Sequence, residues 1–508
     1  MEKIIKKIIW ILGIAFVGVV LLANIFCDSR LSNNLDEHIT INIIQISSFV
    51  VTGLILAGLY FLLKKVPLFE KMGKRLRIGI CIAALIAYLG AQVVWINYRQ
   101  ATPGWDSKAV YSMAVDMYEG NSEAMSKSEY AIKNPHQLPL AFMESLVFRV
   151  IGDTSTKALQ YINAFCNVAI IMALGFIAKE ILNKSKFVAM VIGMLFVSIA
   201  LLATFIYGDL IGLAFALWSV FFLIKYNKKE KWYFALASAV LMALAMIFRK
   251  NMLIFMAAEV IYLFINIITK HSKIKKVFID IGIIIAFVLI SVIPSKVIIS
   301  AIQNKYNLNN DDQIPMTTYL YIGMTDGYRG SGWYNDYAHW AWENPIPEAK
   351  KMYSEAIGER VKELISNPIE LIKFYAKKNV SMYTENTYAA LFYNGSYNFE
   401  EESKNIEKDE FVISQQDRLQ LFQKALVILI FGCTLILIIK NRKELSNEEL
   451  LLLIIFMGGF IFHNIWEAKS RYVIPYLIIL IPLASKYLAI NKRKEKKDEE
   501  NISNSTSI

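Results

Sequence analysis

Long apolar runs separated by polar connections dominate the chain, and their length predicts membrane-spanning helices. Each run has about 20 residues, the length that a helix needs to cross the hydrocarbon core of a bilayer. Such runs occupy residues 8–26, 42–63, 78–96, 155–178, 187–206, 210–226, 232–248, 252–268, 277–294, 419–440, 449–465 and 472–488. The pattern therefore predicts an all-α polytopic membrane protein with about twelve transmembrane helices.

The composition agrees with this prediction. Of the 508 residues, 56% are hydrophobic, and the mean hydropathy is +0.42, whereas soluble domains are about 45–50% apolar. The first run follows Lys3, Lys6 and Lys7 and resembles a signal peptide. Because the letters CDSRLSNN after it contain no convincing small-residue cleavage site, we interpret the run as a retained first helix.

Every second connection is short and rich in lysine and arginine, which orients the chain in the membrane. Under the positive-inside rule these connections lie in the cytoplasm, together with both termini. The two long connections, 97–154 and 295–418, then lie outside the cell membrane. Because the formal net charge of +11 is concentrated in the cytoplasmic connections, it indicates topology and argues against a nucleic-acid partner.

The same pattern divides the chain into five parts. We expect an N-terminal transmembrane hairpin (1–77), a transmembrane core (78–294) with an outer loop (97–154), an extracytoplasmic loop domain (295–418), C-terminal transmembrane helices (419–490) and a disordered cytoplasmic tail (491–508). Within the loop domain, amphipathic helices are predicted on both sides of Pro368. The apolar segment 138–152 is too short to span the bilayer and is predicted to lie at its interface.

Charged residues mark the outer ends of several predicted spans. The topology brings them to one face of the membrane, where ionisable groups are costly to bury and often mark function. These candidates are Asp106, Asp209, Arg249, Lys250, Glu467 and Arg471.

Each candidate also has an ordinary structural interpretation. Asp106 fits the N-cap of a helix, and Asp209 fits a tight turn between two spans. The basic pair in FRKN fits a hairpin tip from which the side chains extend to water. Glu467 and Arg471 are four residues apart and fit an ion pair on a helix surface.

A stretch dense in glycine and aromatic residues, YIGMTDGYRGSGWYNDYAHWAW, lies in the predicted loop domain. Its side chains Trp333, Tyr334 and Tyr337 fit stacking on a sugar or acceptor. They fit an aromatic belt at the membrane interface equally well.

Several classes of protein lack support in the sequence. The four cysteines are scattered, and the five histidines have no metal-ligand spacing. No P-loop, H-E-x-x-H, G-x-S-x-G or D-x-D motif is present, which argues against an ATPase, a zinc protease and a cytoplasmic nucleotide-sugar enzyme. No cofactor or metal site is predicted, although the sequence leaves open whether a divalent metal binds the phosphate.

The arrangement resembles the GT-C superfamily of polyprenyl-phosphate-dependent glycosyltransferases, and most of all the bacterial relatives of protein mannosyltransferases in glycosyltransferase family 39. PGWDSKAVYSMAVDMYEG is similar to their Pro-x-x-Asp opening, and YAIKNPHQLPLAFMESLVFRVIG to their juxtamembrane helix. YGDLIG, FRKN and EAKSRYVIPYLIILIP also match family-like positions, so the resemblance covers about residues 78–490. The chain departs from many relatives in having Ser107 after Asp106 and NPHQLP in place of Pro-Pro.

The resemblance implies a membrane enzyme that moves a sugar from a polyprenyl-phosphate donor to a glycan, lipid or protein acceptor at the outer face. It implies Asp106 as general base, with Asp209 as a second catalytic acid. Positive charge would stabilise the leaving phosphate, and the candidates are Arg249, Lys250 and Arg471. Glu467 and the three aromatic residues above are expected to bind substrate.

Other classes of membrane protein also fit parts of the pattern. A transporter or lipid-linked glycan flippase would show charges at mid-membrane and two related halves, and the sequence shows no such symmetry. An O-antigen-type polymerase or ligase shares the large outer loop and is distinguished by Asp106 and the 97–154 loop. A structural or receptor-like protein would consume no sugar donor.

Overall fold

The structure is a computed structural model that describes residues 2–32, 37–182, 186–269, 274–309, 311–394, 410–411, 413–441 and 445–489. The predicted tail 491–508 lies outside the described residues. Helices make up most of the described chain, as the apolar runs predict, and two short β-hairpins accompany them. The prediction of an all-α polytopic membrane protein is confirmed.

The helices of the first half are α1 (Glu2–Phe26), α2 (Ile46–Lys65), α3 (Lys74–Arg99), α4 (Trp105–Glu119), α5 (Ser122–Ser126), α6 (Glu129–Lys133), α7 (Leu138–Ile151), α8 (Thr156–Leu182), α9 (Lys186–Leu195), α10 (Val197–Leu201), α11 (Asp209–Lys229) and α12 (Trp232–Phe248). Those of the second half are α13 (Leu253–Thr269), α14 (Ile274–Tyr306), α15 (Met316–Met324), α16 (Trp340–Glu343), α17 (Ile346–Ser366), α18 (Pro368–Thr384), α19 (Gln416–Lys440), α20 (Asn447–Ile465), α21 (Ile474–Ile478) and α22 (Ile481–Ala489). Short 3₁₀ helices at Val66–Lys71, Pro135–Gln137, Leu202–Thr204, Lys250–Met252, Asp336–His339, Phe392–Asn394 and Ser470–Val473 join several of them.

Within the described residues, nine helices are long and apolar enough to cross a membrane, and the number rises to eleven if two bent pairs are each one span. The bent pairs are 186–204, which bends by 59°, and 470–489, which bends by 44°. The apolar helix α12 has only 17 residues, which explains the difference from the predicted twelve. In the second pair the bend lies beside Pro482. Proline has no backbone N–H, so it cannot donate a helical hydrogen bond at this position.

Two predicted span boundaries are wrong. Helix α14 runs through Pro294 to Tyr306, twelve residues beyond the predicted end, because a single proline is tolerated inside a long membrane helix. The second predicted span, 42–63, begins late, at Ile46. The residues before it form strand β2 (Ile39–Ile43), which pairs antiparallel with β1 (Cys27–Leu31).

The long connection between α14 and α19 forms a small helical layer. Helices α17 and α18 meet at Pro368, where the sequence predicts the break. The ring of Tyr353 is buried against Tyr321 and Trp340, and its hydroxyl donates to the carbonyl of Tyr337 at 2.6 Å. A second hairpin, β3 (Asp326–Gly327) with β4 (Gly330–Ser331), lies beside α18.

A buried lysine fastens this layer to the membrane helices. The Nζ of Lys378 on α18 donates to the backbone carbonyls of Gly323, Asn464 and Trp466, the last two at 3.0 and 2.7 Å. Three carbonyl acceptors satisfy the three donors of an ammonium group. The lysine therefore fixes the chain after α20 against the layer, and this placement builds the cavity described next.

Candidate functional site

A cavity of about 470 Å³ lies where the loop helices, the α12–α13 junction, α15 and the chain after α20 meet. Its wall contains five of the residues singled out from the sequence, namely Asp106, Arg249, Lys250, Tyr334 and Glu467. The chain folds residues up to 361 positions apart into one concave surface that mixes charged, aromatic and apolar groups, which is typical of a binding or active site.

Asp106 is exposed and lies at the cavity wall, in the first turn of α4. The N-cap of this helix is Gly104, and the Ser107 hydroxyl completes the cap, so capping is not the role of Asp106. Its Oδ2 accepts a hydrogen bond of 3.3 Å from the Tyr207 hydroxyl. The preceding residue, Trp105, has φ of 46°, a strained conformation of the kind found at functional sites.

Tyr207 links this carboxylate to the cationic side of the cavity. Burial, and next the charge of Asp106, raise the pKa of Tyr207 well above its usual range, so its phenol stays protonated and donates to Asp106. Gln137 Nε2 donates to the same hydroxyl at 2.7 Å. The guanidinium of Arg249 lies 4.6 Å from the centre of the Tyr207 ring, within the range of a cation–π contact.

Asp209 and Arg471 lie behind the cavity wall and do not line it. The two carboxylate oxygens of Asp209 face two arginines, Arg249 Nε at 3.0 Å and Arg471 Nη1 at 2.8 Å. All three side chains are at least 79% buried, so Asp209 neutralises a buried pair of cations. The catalytic role of Asp209 and the phosphate role of Arg471 stay predictions, and the contacts above give both residues a supporting position beside the cavity.

A glycine makes this arrangement possible. Gly208, which precedes α11, has φ of 76°, and a Cβ at this position would lie 2.3 Å from the carbonyl oxygen of Phe248. The absence of a side chain therefore lets the start of α11 pack directly on the α12–α13 junction. This close approach brings Asp209 to Arg249.

The chain after α20 leaves the helix at Trp466 and has no regular structure through residues 467–469 before the 3₁₀ helix at Ser470–Val473. Glu467 and Arg471 are therefore not on one helix face, and the predicted ion pair between them is not formed. Instead Lys469 lines the cavity and lies 4.0 Å from Glu467 Oε1 and 2.7 Å from Glu37 Oε2. Sequence reasoning did not identify Lys469, whose only signal was its place in WEAKSRY.

Glu467 is expected to make stability depend on pH. Burial raises the pKa of Glu467 from its ordinary 4.5 to about 7, opposed by Lys469, with smaller effects of Glu37, Asp106 and Arg471. An unfolded chain loses this proton near pH 4.5, so the stabilising contribution of Glu467 falls as pH rises from about 5 to about 7. We expect Glu467→Gln to gain thermal stability relative to the wild type across that window.

Thermal unfolding of both proteins in detergent at pH 5, 6, 7 and 8 measures this difference. Glu348→Gln, at an exposed position of α17, controls for the loss of a surface charge. A difference that is constant over the whole pH range contradicts the expectation.

Aromatic rings form one wall of the cavity. Tyr319 and Phe462 both stack with Trp466, with ring centroids 5.7 and 5.2 Å from it and planes within 25°, and all three line the cavity. Flat aromatic faces of this kind suit the apolar face of a sugar ring. The sequence reasoning missed them because Phe462 lies inside a predicted span, and Tyr319 and Trp466 are single aromatic residues outside the glycine- and aromatic-rich stretch.

The three aromatic residues predicted from the sequence have different surroundings. Tyr334 lines the cavity. Trp333 is buried, its Nε1 donates to the Ser381 hydroxyl at 2.9 Å, and it does not line the cavity, so its stacking role stays a prediction. Tyr337 packs against Tyr321 and Trp340 in the helical layer and does not line the cavity.

The end of the cavity beside α13 is positively charged. Lys250 is exposed and lines this end of the cavity. Within the described chain no carboxylate forms an ion pair with Lys250. His136 also lines the cavity, and burial, followed by the charges of Lys250 and Arg249, lowers its pKa to about 3. The imidazole is therefore neutral at pH 7, and Lys250 is the exposed cation of this end.

Among the described residues, no group of three or more histidine, cysteine, aspartate or glutamate side chains lies close enough to hold a metal ion. The charge available to an anionic ligand in this cavity is that of lysine and arginine.

Comparison with known proteins gives one family and a set of distant structures. A family model described as conserved hypothetical integral membrane protein matches residues 1–491. A comparison with curated proteins gives no match.

The similar solved structures include the oligosaccharyltransferase of the archaeon Archaeoglobus fulgidus in three forms. The apo form is 11% identical with a TM-score of 0.38, over 80% of this chain and 50% of that chain. The forms with zinc and sulfate and with a tethered acceptor peptide are 10% identical with a TM-score of 0.35, over 69% of this chain and 40% of theirs. This chain therefore spans half or less of the archaeal chains, and similarity at this level does not define its function.

Proposed function

The chain belongs to the family of conserved hypothetical integral membrane proteins, and from its cavity we propose that it transfers a sugar from a polyprenyl-phosphate donor to an acceptor hydroxyl. One observation carries the proposal. A carboxylate, Asp106, and an exposed cation, Lys250, face the same cavity, and an aromatic wall lies in that cavity as well. These are the groups that proton removal, phosphate stabilisation and sugar binding require.

In the proposed reaction, the acceptor oxygen attacks the anomeric carbon of the donor sugar. The hydroxyl proton passes to the carboxylate of Asp106, which the hydrogen bond from Tyr207 orients. The bond between the anomeric carbon and the phosphate oxygen breaks, and the polyprenyl phosphate leaves with the electron pair. The product is a new glycosidic bond to the acceptor.

The leaving phosphate gains negative charge, and the cations of the cavity stabilise it. Lys250 is the first candidate, since no carboxylate of the described chain forms an ion pair with it, and Lys469, which also lines the cavity, is a second. Arg249 adds positive potential, although its charge is shared with Asp209. Positive groups held in place before the reaction stabilise the charge that develops on the leaving phosphate.

The aromatic wall supplies the sugar site. Tyr319 and Trp466 present stacked rings to the cavity, and Glu467 is placed to accept hydrogen bonds from sugar hydroxyls when it is ionised. Trp333 and Tyr337 do not line this cavity. We place the site on the extracytoplasmic face of the cell membrane, with both termini in the cytoplasm, because the basic connections favour that orientation.

The direct test is sugar transfer by the purified full-length protein in lipid vesicles. Polyprenyl phosphates that carry radiolabelled mannose, glucose, galactose, N-acetylglucosamine or arabinose serve as donors, and a bacterial envelope extract serves as acceptor. Labelled product and free polyprenyl phosphate are expected with at least one donor. Donors that all stay intact contradict transfer, and movement of intact donor across the vesicle membrane would indicate a flippase.

Replacing Lys250 is expected to weaken use of the donor. A hydrogen bond to a charged group contributes about 1.5–3 kcal/mol, so Lys250→Gln should lower kcat/KM for the donor by about 10–150-fold. Initial rates at varied donor concentration measure the loss. The control Lys127→Gln removes an exposed lysine that lies in the 97–154 loop and does not line the cavity, and unchanged donor kinetics in Lys250→Gln would argue against a phosphate role.

A further inference from the structure

The connection of the N-terminal β-hairpin contributes a carboxylate to the environment of the cavity. Glu37, just before β2, accepts a hydrogen bond from the Tyr393 hydroxyl at 2.5 Å and forms an ion pair of 2.7 Å with Lys469. We propose that Glu37 is a positioning residue of the site, holding the Lys469 amine at the cavity wall and the Tyr393 ring behind it. The catalytic part of this inference rests on the proposed function.

Lys469 has two carboxylates within reach, and the geometry favours Glu37. Its Nζ is 2.7 Å from Glu37 but 4.0 Å from Glu467, and the side chains of Lys469 and Glu37 are only 14% and 13% exposed. A close, buried, charge-assisted hydrogen bond dominates over a longer contact. Glu37 therefore keeps Lys469 from binding Glu467, and so leaves the Glu467 carboxylate available to the cavity.

The Glu37 carboxylate also positions Tyr393, whose hydroxyl donates a hydrogen bond to it. The Tyr393 ring lies 4.7 Å from the guanidinium of Arg471 and 4.4 Å from the ring of Phe205. It also meets the Trp105 ring edge to face at 6.4 Å. Since Trp105 precedes Asp106, Glu37 connects the cation segment after α20 with the loop that carries the proposed base.

The hairpin is anchored firmly enough to act as a support. The backbone N–H of Ile39 donates to the carbonyl of Arg329 at 2.9 Å. The hydroxyls of Ser29 and Thr384 lie 2.8 Å apart in a buried hydrogen bond, and Asp28 pairs with the buried Lys424 at 3.3 Å. The first two membrane helices and their hairpin thus belong to the framework of the site, which gives them a function beyond membrane insertion.

Two variants and one chemical probe test this positioning. Glu37→Gln removes the charge with little change of shape, and Glu37→Asp keeps the charge on a shorter side chain. Purified proteins are treated with an amine-acetylating N-hydroxysuccinimide ester, and the acetylation of Lys469 is quantified by mass spectrometry. We expect Lys469 to be protected in the wild type, several-fold more reactive in Glu37→Gln and intermediate in Glu37→Asp, with the exposed Lys127 equally reactive in all three.

Transfer kinetics supply the second readout. Hydrogen-bond partners that orient metal ligands change activity by about 10–100-fold, and by analogy Glu37→Gln should lower kcat/KM by about this factor. The part of the Glu37 effect that passes through Lys469 is absent once Lys469 is replaced, so the double variant Glu37→Gln with Lys469→Met should lose less than the product of the two single losses. Glu37→Asp should recover part of the loss.

The outcomes separate the two proposals. Unchanged reactivity of Lys469 in a folded Glu37→Gln protein overturns the positioning role, as does a double variant whose losses add. If the wild type transfers no sugar but Lys469 becomes reactive in Glu37→Gln, the proposed function fails while the positioning of Lys469 stands. Gel filtration and thermal unfolding in detergent confirm that each variant is folded.

Discussion

Asp106→Asn is expected to lower sugar transfer by about 10²–10⁴-fold, the usual contribution of a positioned general base. The amide oxygen of asparagine can still accept the hydrogen bond from Tyr207 that the carboxylate accepts at 3.3 Å. The N-cap of α4 rests on Gly104 and Ser107, so the helix keeps its start. The variant therefore removes the proton acceptor and little else.

Initial rates with the donor that supports wild-type transfer measure this effect. Glu119→Gln is the matched control, because it removes a second exposed carboxylate from the same helix. Thermal unfolding within a degree or two of the wild type would show that Asp106→Asn is folded. A folded variant with full activity would remove Asp106 from the mechanism and leave its charge as a feature of the helix start.

Asp209→Asn is expected to destabilise the protein, with loss of activity as a consequence. Its carboxylate oxygens lie 3.0 Å from Arg249 and 2.8 Å from Arg471. Without the negative charge, two buried guanidinium groups face each other with little compensation. Removing one partner of a buried ion pair typically costs about 3–5 kcal/mol, so the unfolding temperature in detergent should fall clearly.

A surface ion pair provides the contrast. Glu123 and Lys127 are both more than 70% exposed and lie 2.6 Å apart, and exposed pairs contribute about 0–1 kcal/mol. Glu123→Gln should therefore leave the unfolding temperature almost unchanged. If Asp209→Asn is as stable as the wild type but inactive, Asp209 takes part in the chemistry, and the structural role assigned to it here is wrong.

Together these two variants separate the chemistry of the cavity from its support. Asp106 faces the cavity and is expected to contribute little to the stability of the fold. Asp209 lies behind the cavity wall and neutralises Arg249 and Arg471. Two acids with similar positions in the sequence pattern, each at the start of a helix, are thus expected to fail in different ways. Activity and stability, measured on the same preparations, show which acid takes part in the chemistry and which one supports the fold.

The sequence by itself determined the helices and their approximate order. Hydrophobicity is a property of consecutive residues, so a run of about 20 apolar side chains predicts a span without knowledge of its neighbours. The break at Pro368 is equally local, because the ring of proline conflicts with the preceding helical turn. Where local rules compete with packing, as at Pro294 inside α14, the prediction failed.

The sequence also drew attention to Asp106, Arg249, Lys250 and Glu467, which the fold brings to one cavity. Charged groups next to apolar runs are few, and topology alone places them at helix ends. Position at a helix end does not reveal the role of each residue. Glu467 and Arg471 illustrate the difficulty, since a spacing of four residues predicts an ion pair only if the segment is helical, and residues 467–469 are not helical.

Only the tertiary structure decided which charges are paired and which face the cavity. Arg471 pairs with an aspartate 262 residues away, and Lys469 pairs with Glu37 from the opposite end of the chain. Trp333 is buried, while Tyr319 and Trp466 face the cavity. The physical reason is that ion pairing and burial depend on distances across the fold, whereas hydrophobic length and proline geometry act between neighbours along the chain.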